Sequence, residues 1–121
     1  MIRALLFGIL LVTATLPARA GERMMLKISP TVAFAPANLI VRTMIEADAR
    51  NRAVEIVAES DDFYRSSAIQ LDGEHAPRTT TFEFRSLPPG TYEVKATLLG
   101  SDGAPLATVR HQMHVIATGS H

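Results

Sequence analysis

The sequence predicts an all-β protein folded as a single antiparallel β-sandwich of about seven strands. Apolar and polar residues alternate with a period of two in several segments, as in half-buried strands. Clusters of Gly, Pro, Asp and Asn recur about every 8 to 12 residues, the spacing typical of sandwich folds. Beyond residue 20, no segment keeps the 3.6-residue apolar period of an amphipathic helix.

The first twenty residues are predicted to be a secretory signal peptide. A positive start at Arg3 precedes an apolar run over residues 4–15, and small residues stand at Ala18 and Ala20. We therefore expect cleavage after Ala20, which leaves a domain over 21–121 that is periplasmic or secreted and has no membrane anchor. The alternative is an uncleaved anchor, but a run of about twelve residues is shorter than the roughly 20 that a spanning helix needs.

Composition narrows the class of protein further. The chain has 121 residues, no Cys, no Trp and a formal net charge of zero. This length fits one domain that can bury a core without disulfides. The lack of Cys excludes a disulfide framework, a thiol nucleophile and a cysteine zinc site. Basic residues are interleaved with acids, which argues against nucleic acid as a partner.

The first half of the domain contains four predicted strands. The first, Met24–Ser29, is ended by Pro30, so we expect an edge strand that changes course. In the second, alternate apolar positions over 39–45 share one face. A helix over 44–59 is the alternative, since Ala, Glu and Arg favour helices, but the apolar residues of 54–57 would scatter around it. The strands are predicted over 24–29, 38–47, 52–60 and, as a short edge strand, 64–71.

The second half contains three clearer strands. The strand over 79–87 is followed by Pro88-Pro89-Gly90, which forces a corner. The strand over 91–99 alternates without a break. The loop Gly100–Gly103 is typical of a hairpin, because its glycines take positive φ without a steric penalty, and it leads into the last strand over 107–116. The side chains expected in the core are Phe82, Phe84, Tyr92, Val94, Val109, Met113 and Val115.

Three segments point to a known fold family: Phe82-Glu83-Phe84, then Leu87-Pro88-Pro89-Gly90-Thr91-Tyr92-Glu93-Val94, then the Gly100–Gly103 hairpin. With them, residues 79–116 resemble the C-terminal half of immunoglobulin-like and fibronectin type III-like domains. The resemblance implies a tyrosine corner, in which the Tyr92 hydroxyl bonds to backbone upstream. Val94 stands where antibody-type domains have their second Cys, and the core Trp is absent. The fold implied is therefore an immunoglobulin-like sandwich without the disulfide.

Histidine and methionine are the best candidates for a metal site. His111 and His114 stand three apart on a predicted strand, which places them on opposite faces about 10 Å apart. They therefore do not chelate one ion without a bulge. Methionine thioethers suit Cu(I), so copper binding with Met113 and His114 as contributors stays open. A core role for the methionines is the simpler interpretation, and we assign no residue as a metal ligand. The other residues considered are His75, His121, Met24, Met25 and Met44.

The sequence contains few other residues that could form a binding or catalytic site. Asp61-Asp62 and Asp72-Gly73-Glu74 lie in loops that could approach each other, as a calcium site requires. Asp and Gly are also ordinary turn residues, so solvated loops are expected. No Gly-x-Ser-x-Gly elbow, Gly-rich phosphate loop or nucleophile–base pair is present. We therefore expect that the chain is not an enzyme, with no catalytic residue and no cofactor.

These observations predict an exported, non-catalytic immunoglobulin-like module that binds or scaffolds another envelope or extracellular protein. Binding through loops at 61–64, 72–78 and 101–105 is one route. Binding through an edge strand, by addition of a partner's strand, is the other. The expected edges are the strand over 64–71 and the first strand. The alternative function is a periplasmic β-sandwich that handles copper or another metal.

Overall fold

The computed structural model describes residues 23–118. The signal peptide predicted over 1–20, its cleavage after Ala20 and the last histidine, His121, lie outside the described residues. Two β-sheets pack face to face, with the apolar core between them. The described part of the chain contains no helix with the length and apolar character needed to cross a membrane.

In the described part of the chain, eight strands form the two sheets. One sheet has the order β1-β3-β6, and the other has the order β2-β8-β7-β4-β5. All pairs are antiparallel except β2 with β8, which is parallel. The strands are β1 (Met24–Ser29), β2 (Val32–Phe34), β3 (Ala37–Ile45), β4 (Ala53–Glu59), β5 (Tyr64–Gln70), β6 (Thr79–Leu87), β7 (Gly90–Leu99) and β8 (Pro105–Ile116).

The predicted all-β class is confirmed, and residues 23–118 contain eight strands where about seven were predicted. The strand that the sequence missed is β2, which has only three residues between Pro30 and Pro36. Three residues are too few to display a two-residue period. The chain leaves β1 in one sheet and enters β2 in the other, so the first strand does change course as predicted. The alternative helix over 44–59 is absent, because these residues end β3 and form β4.

The alternation of apolar residues decides which face of each strand is buried. In β3, Leu39, Val41, Thr43 and Ile45 are all buried, as predicted, while the intervening residues are not. β4 departs from the pattern because it lies between β5 and β7 in the larger sheet. Its Val57 is buried on the outer face. The seven core residues predicted in the second half of the domain are buried or packed against the core.

Tyr92 closes one end of the core. Its side chain is fully buried, and its hydroxyl donates a hydrogen bond of 2.7 Å to the carbonyl oxygen of Pro88. This confirms the predicted bond to upstream backbone. The ring of Phe63 meets the Tyr92 ring edge-on, with centroids 6.1 Å apart and an interplanar angle of 74°. Burial raises the pKa of the Tyr92 hydroxyl above its ordinary value.

Candidate functional site

The loops proposed for binding lie at opposite ends of the sandwich. At one end, the amide of Gly73 donates to the Asn51 carbonyl and the amide of Arg52 donates to the Leu99 carbonyl. These bonds gather residues 46–52, 71–78 and 100–104. The loop over 60–63 lies at the other end, where Ser60 lies beside Gly90 at the β6–β7 corner. Asp61-Asp62 and Asp72-Gly73-Glu74 are therefore far apart, and the calcium arrangement considered from the sequence does not form.

The end that holds Asp72 is occupied by internal contacts. Asp48 accepts hydrogen bonds from Arg23 at 2.8 Å and from Arg50 at 2.9 Å. The bonds from Arg50 hold the pKa of the Asp48 carboxyl well below its usual range. Arg52 donates to two backbone carbonyls beside it. A shallow pocket of about 240 Å³ remains, lined by Ala49, Arg52, Asp72, Gly73, Glu74 and His75.

The histidine candidates and Met113 do not come together at one site. His111 and His114 lie on opposite faces of β8, as predicted: the ring of His111 reaches the other sheet, and His114 contacts Thr91 on the outer face. Met113 is fully buried and faces away from His114, so the pair named from the sequence is not brought together. Met25 is the one candidate thioether that is largely exposed. No three His, Cys, Asp or Glu residues within 23–118 could hold one metal ion.

One edge of β8 presents main-chain groups that no neighbouring strand pairs. The amide of His114 donates to the Thr31 carbonyl on the β2 side. Because main-chain direction alternates along a strand, Arg110 and Gln112 present their N–H and C=O groups to the same side. β2 pairs only with residues 114–116. Within the described residues, therefore, no strand is paired with Arg110 and Gln112 on that side, although β1 approaches β8 there.

The edge of β1 that faces β8 also presents main-chain groups that no neighbouring strand pairs. The amide of Ile45 donates to the Arg78 carbonyl and so points away from β1. Ile45 is opposite Met24 in the register, and Leu26 and Ile28 follow at two-residue steps. The main-chain groups of Leu26 and Ile28 thus point away from β3, towards β8. A side-chain hydrogen bond joins the two edges: His111 Nε2 donates to the Leu26 carbonyl oxygen at 2.8 Å.

A cleft of about 300 Å³ lies between these two edges, and we call it the β1–β8 cleft. Its floor is apolar and its other groups are polar or cationic, with no acid among them. The His111 nitrogen that faces Leu26 carries the proton, because a carbonyl oxygen only accepts. The cleft is lined by Leu26, Lys27, Ile28, Thr31, His111 and Gln112.

An exposed apolar patch continues from the cleft along the same edge. Val32 and Phe34 of β2 are 54% and 66% exposed, and Ile116 of β8 is 44% exposed. Phe34 lies opposite Ile116 in the parallel register. Large apolar side chains grouped at the surface are typical of interaction sites. The sandwich edge therefore combines unpaired backbone, a cleft and apolar surface.

Comparison with known proteins supports the β-sandwich fold. The structure is similar to the superoxide reductase (neelaredoxin) from Ignicoccus hospitalis, with a TM-score of 0.57, 16% identity, and 82% and 91% of the two chains covered. It is similar to CopC from Methylosinus trichosporium OB3b, with a TM-score of 0.52, 19% identity, and 81% and 98% covered. Spo0M, a sporulation control protein from Bacillus subtilis, matches with a TM-score of 0.52, 13% identity, and 79% and 49% covered. No protein-family model and no curated protein sequence matches the chain.

The prediction that the chain is not an enzyme is contradicted by this comparison. A superoxide reductase, an enzyme by name, is among the proteins that share the fold. The lack of a nucleophile–base pair in the sequence does not exclude reductive chemistry, which requires no such pair. At 16% identity, the similarity itself concerns the fold.

The sequence did not predict the β1–β8 cleft, although it predicted that the first strand is an edge strand. The sequence predicted that the first strand and the strand over 64–71 are edges, and β1 and β5 are edges of their sheets. It considered His111 only as a metal candidate. Lys27, Thr31 and Gln112 belong to no motif, and they meet only because β1 and β8 fall in different sheets. The local signal that the chain passes from one sheet to the other is the proline that follows the first strand, Pro30.

Proposed function

We propose that this chain is an exported immunoglobulin-like module that binds another envelope or extracellular protein by accepting an extended segment of it in the β1–β8 cleft. The immunoglobulin-like class is supported by the first strand, divided between the two sheets, and by the Tyr92 corner. Export is supported by the signal-peptide pattern over residues 1–20.

The observation that carries the proposal is the unpaired backbone on both sides of the cleft. An added strand forms main-chain hydrogen bonds with a free sheet edge, while its alternate side chains enter pockets that give specificity. Here Leu26 and Ile28 offer such groups from β1, and Arg110 and Gln112 offer them from β8, once the incoming segment has separated the two edges and replaced the hydrogen bond between His111 and the Leu26 carbonyl. The apolar floor provides the pocket.

The opposite edge of the larger sheet is a less favourable docking site. Strand β5 is exposed along almost its whole length, but Arg65 lies across its start. The guanidinium of Arg65 donates to the Arg85 carbonyl at 2.9 Å and lies 5.1 Å from the centre of the Phe63 ring. A charged side chain fixed at an edge is a common means of preventing strand addition. Strand β5 therefore supplies a matched control surface.

Site-specific photocrosslinking in intact cells tests the proposal. A photoreactive amino acid replaces Gln112 at the cleft or, as the control, Ser66 on β5. We expect one dominant crosslinked protein from position 112, its yield falling when unlabelled chain is added in excess, and no such product from position 66. The same products from both positions, or none from position 112, would refute binding through the cleft.

Metal handling remains a second candidate function because of one observation. Met25 and Met44 are direct neighbours across β1 and β3, and Met25 is 54% exposed. Adjacent thioethers suit Cu(I). We expect a Cu(I) titration to show stoichiometric binding that the double variant Met25→Leu with Met44→Leu abolishes. The matched control is Met113→Leu, which removes a buried thioether, and equal binding by all variants would exclude this site.

A further inference from the structure

We propose that His111 is a latch that holds the β1–β8 cleft closed and that an incoming segment must release before it binds. This inference rests on the proposed function and adds how the same site is regulated. Its starting point is the bond that crosses the cleft, in which His111 Nε2 donates to the Leu26 carbonyl oxygen at 2.8 Å. That oxygen belongs to the free edge of β1, so an added strand needs it as an acceptor.

One end of the cleft is fixed by main-chain pairing. Strand β2 pairs with residues 114–116 of β8, and the amide of His114 donates to the Thr31 carbonyl at 2.8 Å. Between Thr31 and the start of β1, the described residues form no main-chain hydrogen bond from β1 to β8. Beyond the fixed end, therefore, no main-chain bond opposes separation of the two edges.

His111 acts on this separation at a distance from the fixed end. Leu26 lies five residues before Thr31 in the chain, which is at most about 16 Å along an extended strand. His111 extends from the same face of β8 as Val109 and Met113, which pack in the core. Its ring therefore bridges from β8 to β1 where the two sheets are open to an added strand, and one contact both closes the entrance and satisfies the Leu26 carbonyl.

The latch is weak enough for a ligand to release. A single hydrogen bond contributes little net free energy, because its groups bond to water when it breaks, and this bond is only partly buried. Its loss corresponds to about a two- to tenfold change in the population of the open cleft. An extended segment that forms several main-chain bonds exceeds this cost, whereas a single contact does not. The latch therefore favours extended segments and covers a free edge that would otherwise pair with other strands.

Because the chain has no cysteine, a single introduced thiol reports opening of the cleft. Leu26→Cys places the thiol beneath the cleft, at a position that is 5% exposed. Val54→Cys places a control thiol at a fully buried position of β4. The measurement is the rate at which a maleimide modifies each thiol in the purified, folded chain. Modification at position 26 requires the cleft to open, and modification at position 54 requires the core to unfold.

His111→Leu and His111→Gln are the matched pair of variants, because their side chains are similar in size and only glutamine donates a hydrogen bond. We expect His111→Leu to raise the modification rate at position 26 by about two- to tenfold and to leave the rate at position 54 unchanged. His111→Gln should stay within about twofold of the wild type at both positions. Equal rates at position 26 in all three proteins, or a rise of the same size at position 54, would overturn the latch.

The same variants separate the latch from the proposed function. In the photocrosslinking experiment at position 112, His111→Leu should raise the yield of the crosslinked partner, because more of the chain has an open cleft. A selective rise in the modification rate at position 26, with no crosslinked partner in any variant, would support the latch and refute the proposed function. A crosslinked partner whose yield is the same in His111→Leu and the wild type would leave the proposed function standing and overturn regulation by His111.

Discussion

The substitution Tyr92→Phe isolates one buried hydrogen bond in the fold. The Tyr92 hydroxyl donates to the Pro88 carbonyl oxygen at 2.7 Å, and the side chain is fully buried. Phenylalanine keeps the ring and its edge-on contact with Phe63, so only the hydroxyl is lost. A carbonyl left without its partner in a buried position costs about 1–3 kcal/mol of unfolding free energy.

The assay is urea and thermal unfolding followed by far-UV circular dichroism. Each kcal/mol should lower the midpoint temperature by about 4–8 °C in a domain of this size. The matched control is Tyr64→Phe, which removes a hydroxyl from a side chain that is 60% exposed and should change stability by no more than about 0.5 kcal/mol. If the two variants are equally stable, the Tyr92–Pro88 bond does not stabilise the corner.

The pH dependence gives an independent check of the same residue. Because burial raises the pKa of Tyr92 in the folded state, the folded chain holds this proton after the unfolded chain has lost it. Its contribution to stability is complete below the ordinary tyrosine pKa of about 10 and is lost as the pH rises through the folded value. The stability of the wild type should therefore fall more steeply than that of Tyr92→Phe above about pH 10. Parallel curves would refute the argument.

Three further predictions concern stability measured by urea unfolding. Asp48→Asn should be less stable than the wild type above the ordinary carboxyl pKa of 3.8, because the Arg50 hydrogen bonds lower the pKa of Asp48 in the folded state. The difference in unfolding free energy between the two proteins should shrink as the pH falls below that value. A difference that stays constant with pH would contradict this prediction. Gly90→Ala should cost about 1–3 kcal/mol, since φ is +155° and a Cβ would lie 3.2 Å from a side-chain atom. The control is Gly103→Ala, where φ is +73° and the added Cβ would have no atom within 4 Å. This variant should lose only about 1 kcal/mol of unfolding free energy. A larger loss from Gly103→Ala than from Gly90→Ala would contradict the packing argument. Thr43→Val should stabilise by about 1 kcal/mol, because the buried Thr43 hydroxyl has no partner among the described residues; a loss of stability would point to a hidden hydrogen bond.

The elements that the sequence predicted correctly are those whose information is local. The strand over 79–87 matches β6, and the strand over 24–29 matches β1, because alternation is visible over six or more residues. The corner at Pro88 was predictable for a similar reason, since proline and glycine constrain their own backbone. β2 was missed because its pairing with β8 joins residues about 80 positions apart and leaves no period in three residues.

The candidate site shows the limit of the same reasoning. His111 was recognised as a residue of interest, yet its contact with the Leu26 carbonyl joins positions 85 apart in the chain. The pairing of Met113 with His114 followed from adjacency, but adjacent residues in a strand face opposite ways. The prediction that the chain is not an enzyme was wrong because one fold supports many chemistries, and missing sequence motifs do not exclude all of them.

The sequence by itself determined that the chain folds as two β-sheets, that Tyr92 closes one end of the core and that β1 and β5 lie at edges. Each of these follows from short-range rules on alternation, turns and proline. Only the tertiary structure decided that β1 and β8 diverge into separate sheets and leave a cleft between them. The physical reason is that a cleft is defined by the backbone groups that remain unpaired, and pairing depends on every strand in the sheet, not on the residues of one.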